Sequence, residues 1–344
     1  MIGDSFPLIR SRPPRMPILD VLADAIATPL RNLVTPTYWL NVYFMLSTFA
    51  IVVAVFAAHR RGRRRTLKQL LRFAFPRRVL LHPSALLDYR YYLVHGTLRT
   101  LFYGWVIVSG DVWSRLTIAG LTGAFGATTP GITPSIVVTL IATVLFVVAY
   151  DLGYWFAHWL MHRVEWLWEC HKAHHSAEVL TPFTSMRAHP VDDLLHFNLG
   201  TIATGISHGM LVYGFGQETH ELSLMQMNVL LLVYTMLLFH LRHSHVWLSF
   251  SVPLGYVVQS PAHHQIHHST DPAHIGKNLG FALAIWDWAF GTLYVPRERE
   301  KLQFGIGPET REYNSVERLY WLPVVNIART IVARTSRLVT ARQS

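Results

Sequence analysis

Histidine spacing is the feature of this sequence that most directly suggests chemistry. His158 and His162 are four residues apart, and three more histidines follow by His175. A second group lies about ninety residues later. The candidate ligands in the two groups are His158, His162, His171, His174, His175, His264, His267 and His268. Because positions i, i+3 and i+4 share one helix face, each group can present two or three neutral imidazoles to a metal ion.

The number of imidazoles indicates the kind of site. Eight or more are too many for one ion, so the pattern predicts two metal ions. Imidazole suits zinc, copper, iron and nickel. The sequence has no HExxH motif, which supplies the glutamate base of zinc proteases. Among the metals that prefer imidazole, iron performs O2 chemistry on unactivated carbon. A membrane hydrolase with two zinc ions and a non-enzymatic metal transporter or sensor are the alternatives.

The composition indicates a membrane protein. Hydrophobic residues make up 51% of the 344 residues and charged residues only 15%, against about 25% in a typical soluble domain. The net charge of +10 is typical of Lys and Arg on the cytoplasmic face of a membrane protein, and no nucleic-acid partner is indicated. The single cysteine, Cys170, excludes cysteine-ligated iron–sulfur clusters and disulfides within the chain.

The hydropathy pattern predicts the elements that position the histidines. We predict an all-α integral membrane protein with about four to five transmembrane helices and a cytoplasmic helical cap that holds the dimetal site. The predicted spans are Tyr38–Ala58, Tyr91–Gly110, Pro134–Trp155, Leu194–Phe215 and Leu222–Phe239. Leu116–Thr128 is apolar but short and Gly-rich, and we interpret it as re-entrant or interfacial. The arginine-rich run from Arg60 to Arg78 marks the cytoplasmic side, and this topology places both histidine groups there.

Three regions follow from this organisation. Residues 1–132 are predicted to be an N-terminal membrane region with a basic cytoplasmic loop. Residues 133–296 form the predicted histidine-box catalytic domain, and residues 297–344 a charged C-terminal tail.

The histidine motifs resemble those of a known family. HWLMH from His158, HKAHH from His171 and HHQIHH from His263 are similar to the three histidine boxes of the fatty acid hydroxylase / sterol desaturase superfamily. The WDWAFGT stretch (Trp286 to Thr292) is similar to the bacterial sterol-desaturase-like branch near the alkylglycerol monooxygenases. The resemblance covers roughly residues 150–295.

The resemblance implies a membrane-bound non-haem diiron enzyme, with two Fe ions and O2 as co-substrate, that hydroxylates or desaturates a lipid. It implies His243 as a ninth ligand, and His189 and His245 as second-tier candidates. The sequence has no electron-carrying motif of its own, so a separate ferredoxin or cytochrome-type donor protein is expected. The expected location is a bacterial inner membrane, with the metal site facing the cytoplasm.

Four acidic residues are candidates for orienting the ligand imidazoles by accepting their other N–H group. They are Asp151, Asp192, Asp193 and Asp287. The sequence does not rank them, and helix capping or solvation is the alternative for each.

Overall fold

The computed structural model describes residues 17–59, 66–129 and 131–343, and this part of the chain is mostly helical. The α-helices are α1 (Ile18–Asn32), α2 (Val42–His59), α3 (Leu67–Ala74), α4 (Arg77–Leu80), α5 (Pro83–Phe102), α6 (Gly110–Phe125), α7 (Ser135–Arg163), α8 (Glu165–His175), α9 (Pro190–Phe215), α10 (Val229–Tyr234), α11 (His240–Arg242), α12 (Val252–Gly255), α13 (Pro261–His267), α14 (Ile285–Ala289) and α15 (Val316–Gln343). Two short antiparallel strands, β1 (Ser223–Leu224) and β2 (Met227–Asn228), pair in the described residues.

The central element is α7, which is 29 residues long and packs along α9. Gly153 allows the close approach of the two helices, because a Cβ atom there would lie 2.5 Å from the carbonyl oxygen of Leu199. In the described part of the chain, α7 is the one helix that is long and apolar enough to cross a membrane. Its last two turns carry His158 and His162. The apolar helix therefore ends in the histidine site.

The chain returns to the same end of α7 through α10, a π-helical turn (Thr235–Phe239) and α11. π-Helical turns, in which each hydrogen bond spans five residues, are rare and often occur at functional sites. This one directly precedes α11, whose C-cap residue is His243.

A layer of short helices covers the histidine end of α7. The chain turns at Val164 and enters α8, and α15 packs along α8 and against α5. Leu319 of α15 is fully buried, and the Tyr320 hydroxyl lies 2.8 Å from His95 Nδ1 of α5. The C-terminal helix is thus part of the structure around the site.

Arg187 is the polar hub of this layer. Its guanidinium pairs with Asp88 Oδ1 of α5 at 3.0 Å, and both side chains are almost fully buried. It also donates to Ser176 Oγ at 2.8 Å and to the Ala173 carbonyl of α8 at 3.0 Å. One further donor reaches the Tyr313 carbonyl, just before α15. The hub therefore joins α5, α8 and the start of α15.

The structure corrects two of the predicted spans. The predicted helix over Tyr91–Gly110 is wrong, since α5 ends at Phe102 and α6 starts at Gly110. Asp88, His95 and Arg99 are buried on α5, which explains why its hydropathy misled the assignment. The predicted span over Leu222–Phe239 is also wrong at its start, because β1 and β2 precede the helix.

The other three predicted spans are helices in the structure. The predicted spans at 38–58, 134–155 and 194–215 coincide with helices α2, α7 and α9. Leu116–Thr128 falls mostly within α6, a regular helix of 16 residues that packs on α9. The arginines at positions 60–65 lie outside the described residues. The number of membrane crossings and the sidedness of the cap stay predictions.

The Arg187 hub gives a stability prediction. Arg187→Ala leaves Asp88 as a buried carboxylate without its charged partner, and we expect a loss of about 3–5 kcal/mol in unfolding free energy. Thermal unfolding of the purified protein checks this. The matched control is Arg334→Ala, which removes the exposed Arg334–Glu165 pair and should cost less than about 1 kcal/mol. Equal effects of the two variants would contradict the hub.

Candidate metal centre

All nine predicted ligands lie in two adjacent histidine clusters. Cluster one contains His158, His162, His171, His175 and His267. Cluster two contains His174, His243, His264 and His268. Within each cluster the candidate ligand nitrogens all lie within 4.8 Å of one another. The clusters touch, since the rings of His175 and His268 have centroids 4.7 Å apart.

The clusters do not follow the order of the motifs in the sequence. On α8, His171 and His175 face cluster one, whereas His174 faces cluster two. On α13 the arrangement is reversed: His267 faces cluster one, and His264 and His268 at the helix end face cluster two. Each short helix therefore contributes to both clusters. The end of α7 completes cluster one, and His243 completes cluster two.

The nitrogens of cluster two are spaced as metal ligands would be. His243 Nε2 lies 2.9 Å from His264 Nε2, 3.1 Å from His268 Nε2 and 3.4 Å from His174 Nε2. Metal–nitrogen bonds of roughly 2.0–2.1 Å would put neighbouring ligand nitrogens roughly 3.0–3.4 Å apart. Four nitrogens at this spacing cannot all satisfy one another by hydrogen bonds. A central cation accounts for the arrangement.

In cluster one, several of the candidate ligand nitrogens have no hydrogen-bond partner. The Nε2 atoms of His162, His175 and His267 are buried and have no hydrogen-bond partner. His158 Nε2 and His171 Nε2 lie 3.1 Å apart. Buried polar atoms without partners are uncommon and call for an explanation. Five converging imidazoles fit a metal ion that accepts their lone pairs.

The protein environment keeps these imidazoles neutral. Burial, reinforced by the neighbouring His267, lowers the pKa of His174 to about 3. Burial likewise lowers the pKa of His267 to about 4. Neutral imidazole is the form that binds metals, so near pH 7 the rings are in the right state for ligation.

Four ligand rings are oriented by acceptors for their Nδ1–H groups. His158 donates to the Leu279 carbonyl at 2.8 Å and His267 to the Lys277 carbonyl at 2.8 Å. His174 donates to the Arg187 carbonyl at 3.3 Å, and His171 to Asp192 Oδ2 at 3.1 Å. These contacts put the proton on Nδ1 and leave Nε2 free for the metal.

Two buried carboxylates hold the loop of residues 277–283, which supplies two of those carbonyls. Asp287 accepts the backbone N–H groups of Leu279 and Gly280 at 2.8 and 2.9 Å. Asp151 accepts those of residues 281–283 at 2.7–3.1 Å. Both carboxylates thus act on the ligands through the loop. Of the four acidic candidates, Asp192 contacts a ligand directly, and Asp193 pairs with His95.

A contact of Arg242 opposes metal ligation by His264. Its Nη2 lies 2.8 Å from His264 Nδ1. A guanidinium can only donate, so this contact needs the lone pair of Nδ1 and places the ring proton on Nε2. Ligation by His264 Nε2 requires the opposite tautomer.

The second-tier candidates lie outside both clusters. His189 caps α9 by accepting from the Val191 N–H and contacts the Tyr320 carbonyl through Nε2. His245 Nε2 donates to the Phe73 carbonyl at 2.7 Å. Cys170 is buried, and burial raises the pKa of its thiol to about 12. The two histidines thus have structural contacts in place of a ligand position, and Cys170 belongs to neither cluster.

The sequence analysis missed His196, which lies on α9 beside cluster one. Its ring centroid is 5.8 Å from that of His158 and 4.3 Å from that of Tyr154. Its Nδ1 donates to the Asp192 carbonyl, and its buried Nε2 has no partner. The sequence feature that could have identified His196 is its position four residues after Asp192, because this spacing puts the two side chains on one face of the helix.

Comparisons with known proteins agree with this site. Residues 143–292 match the family model described as "Fatty acid hydroxylase". The chain is 43% identical over 54 residues to "Alkylglycerol monooxygenase" of Xenopus tropicalis, covering 16% of this chain and 12% of that protein. It is 28% identical over 145 residues to "Alkylglycerol monooxygenase" of Homo sapiens, covering 42% of this chain and 28% of that protein.

The matched segments thus span between about an eighth and a quarter of the length of these two relatives. No solved structure was found to match the chain. The family match covers α7 from its third turn to the end of the WDWAFGT stretch, which includes all nine clustered histidines. These matches support a place for residues 143–292 in the fatty acid hydroxylase / sterol desaturase superfamily, near its alkylglycerol monooxygenase branch.

Proposed function

We propose that this protein is a membrane-bound non-haem diiron oxygenase that hydroxylates, or desaturates, a lipid C–H bond with O2 and external electrons. The observation that carries the proposal is the pair of adjacent all-histidine clusters at the end of an apolar helix. The relatives' names, which describe monooxygenases of alkylglycerols, support a lipid as the substrate.

The ligand set supports iron over zinc. Zinc sites in proteins are almost always four-coordinate when structural, and catalytic ones have three protein ligands. Cluster one offers five imidazoles, which suits a metal with more coordination positions. Neither cluster includes a carboxylate among the described residues, so the glutamate base of a zinc hydrolase has no counterpart there. These features weigh against the two-zinc hydrolase.

The arrangement also weighs against a metal transporter. Transport sites place polar ligands along a path through the membrane. Here eight of the nine histidines are buried and the ninth is partly buried, and all nine lie together at one end of α7. Such a closed double site retains metal ions rather than passing them on.

The residues of the chain have separable roles. The nine histidines would hold the two ions, and Asp192 with the carbonyls of Lys277, Leu279 and Arg187 would fix the ring tautomers. Iron bound there would supply the chemistry that activates O2 towards an unactivated C–H bond. Burial of the clusters excludes water, which protects a reactive site from side reactions.

The location of the substrate follows from the apolar elements. The N-terminal half of α7 exposes a series of large apolar side chains, among them Ile136, Leu140 and Val144. A bilayer around this part would bring lipid chains towards the histidine end of the helix. We place the site at the cytoplasmic surface of a bacterial inner membrane, where a ferredoxin or cytochrome-type donor protein would deliver electrons.

The first test of the proposal is the metal content of paired variants. We expect purified wild-type protein to hold two iron ions per chain, one for each cluster. The double variant His171→Ala/His175→Ala should lose the ion of cluster one, and His264→Ala/His268→Ala that of cluster two. Elemental analysis with Mössbauer spectroscopy measures the ion that remains.

A matched control comes from the second-tier histidines. His245→Gln should keep both ions, because His245 bonds to the Phe73 carbonyl outside the clusters. Zinc in both clusters of protein expressed in iron-rich medium would contradict the diiron assignment. Loss of iron in His245→Gln with retention in the paired variants would contradict the ligand assignment.

The second test concerns the reaction. Cells that express the wild-type protein under ¹⁸O2 should form an ¹⁸O-labelled lipid, or a lipid with a new double bond, that is absent with His171→Ala. High-resolution lipid mass spectrometry detects either product. Identical lipid profiles in the two strains, with iron loaded in the wild-type protein, would count against oxygenase chemistry.

A further inference from the structure

Two buried hydrogen-bond acceptors beside cluster one have no donor in the described structure. They are Asp192 Oδ1 and His196 Nε2, both enclosed by protein and both without a partner. They are four residues apart on α9 and therefore share one face of that helix. Each residue also adjoins a different candidate ligand, since Asp192 bonds to His171 and the His196 ring contacts that of His158.

The tautomer of His196 follows from its other nitrogen. His196 Nδ1 lies 3.0 Å from the Asp192 carbonyl oxygen, which can only accept, so Nδ1 carries the proton. The Nε2 atom of the neutral ring then offers a lone pair. Asp192 Oδ2 already accepts from His171, which leaves Oδ1 as a second free acceptor. Buried acceptors that lack a donor destabilise the folded protein, so a donor from outside the chain would bind favourably here.

We propose that Asp192 Oδ1 and His196 Nε2 form an acceptor pair next to cluster one, and that a hydroxyl group of the lipid substrate donates its hydrogen bond to His196 Nε2. The proposal rests on the proposed function and adds a substrate feature to it. The missing partner has to donate a hydrogen bond, and a hydroxyl does so without carrying charge. An ammonium group would be repelled by the metal ions that the clusters hold. His196 is thereby a positioning residue, which sets how the lipid is oriented to the site.

The experiment compares two probes that differ in one donor. Metal-loaded protein in lipid nanodiscs, kept without reductant, is titrated with 1-hexadecanol or with its methyl ether, and native mass spectrometry measures the bound fraction. We expect wild-type protein to prefer the alcohol about tenfold, the value of one hydrogen bond to a charged or buried acceptor. His196→Phe keeps a ring against Tyr154 but lacks the acceptor, and it should lose most of the preference.

His196→Gln is the conservative control, because its amide can donate to the Asp192 carbonyl and still offer an acceptor. It should retain the preference for the alcohol, which a merely structural role of His196 would not require. Equal binding of the two probes by wild-type protein would overturn the proposal and assign the position to ordered water. An undiminished preference in folded His196→Phe would overturn it as well.

The design separates this proposal from the oxygenase assignment. Binding is measured without turnover, so it does not depend on O2 chemistry. Lipid oxidation without alcohol preference would refute the acceptor pair alone. Alcohol preference without ¹⁸O incorporation would refute the proposed reaction alone.

Discussion

The structure depends on one requirement, which is that nine imidazoles stay neutral and correctly protonated while they are buried against one another. A neutral ring has one donor and one acceptor nitrogen. If Nε2 is to face a metal, Nδ1–H needs an acceptor elsewhere. The protein meets this need at four rings with the carbonyls of Lys277, Leu279 and Arg187 and with the Asp192 carboxylate. The local backbone thus determines which nitrogen points inward.

The buried charges can be understood from the same requirement. Carbonyls in loops orient a ring only if the loops themselves are fixed. Asp151 and Asp287 bind five successive backbone N–H groups of the 277–283 loop, from Leu279 to Leu283. The Arg187 side chain fixes its own backbone to α5 and α8, and its carbonyl faces His174. Burial of charged groups is costly unless they are well hydrogen-bonded, and here their hydrogen bonds lead to the ligands.

The sequence allowed the ligand positions to be predicted, but not their assignment to clusters. Spacing and the family motifs identified nine histidines, and the structure brings all nine together. Their role as ligands stays a prediction. The division of α8 between two clusters depends on which histidines of α13 its rings meet in the folded protein, and sequence spacing does not encode those contacts. His174 is three residues from His171 and shares its helix face, yet it faces the other cluster.

The span assignments show a similar limit. Hydropathy located α7, whose apolar run is long and nearly free of charge. It misplaced α5, because the buried charged residues Asp88 and Arg99 lower the hydropathy of this helix. These two residues find partners in Arg187 and Asp193, which are about a hundred residues away in the chain. A hydropathy average over neighbouring residues cannot detect ion-pair partners that are so far apart in the sequence.

Arg242 connects the buried charges to metal binding. Its guanidinium donates to the Phe281 and Gly280 carbonyls as well as to His264 Nδ1. When His264 Nε2 binds a cation, the ring proton has to occupy Nδ1, and two donors then face each other. The guanidinium must therefore turn away from His264 and keep its two carbonyl acceptors. Because both carbonyls belong to the 277–283 loop, Arg242 links His264 of cluster two to the loop whose carbonyls accept from His158 and His267 of cluster one.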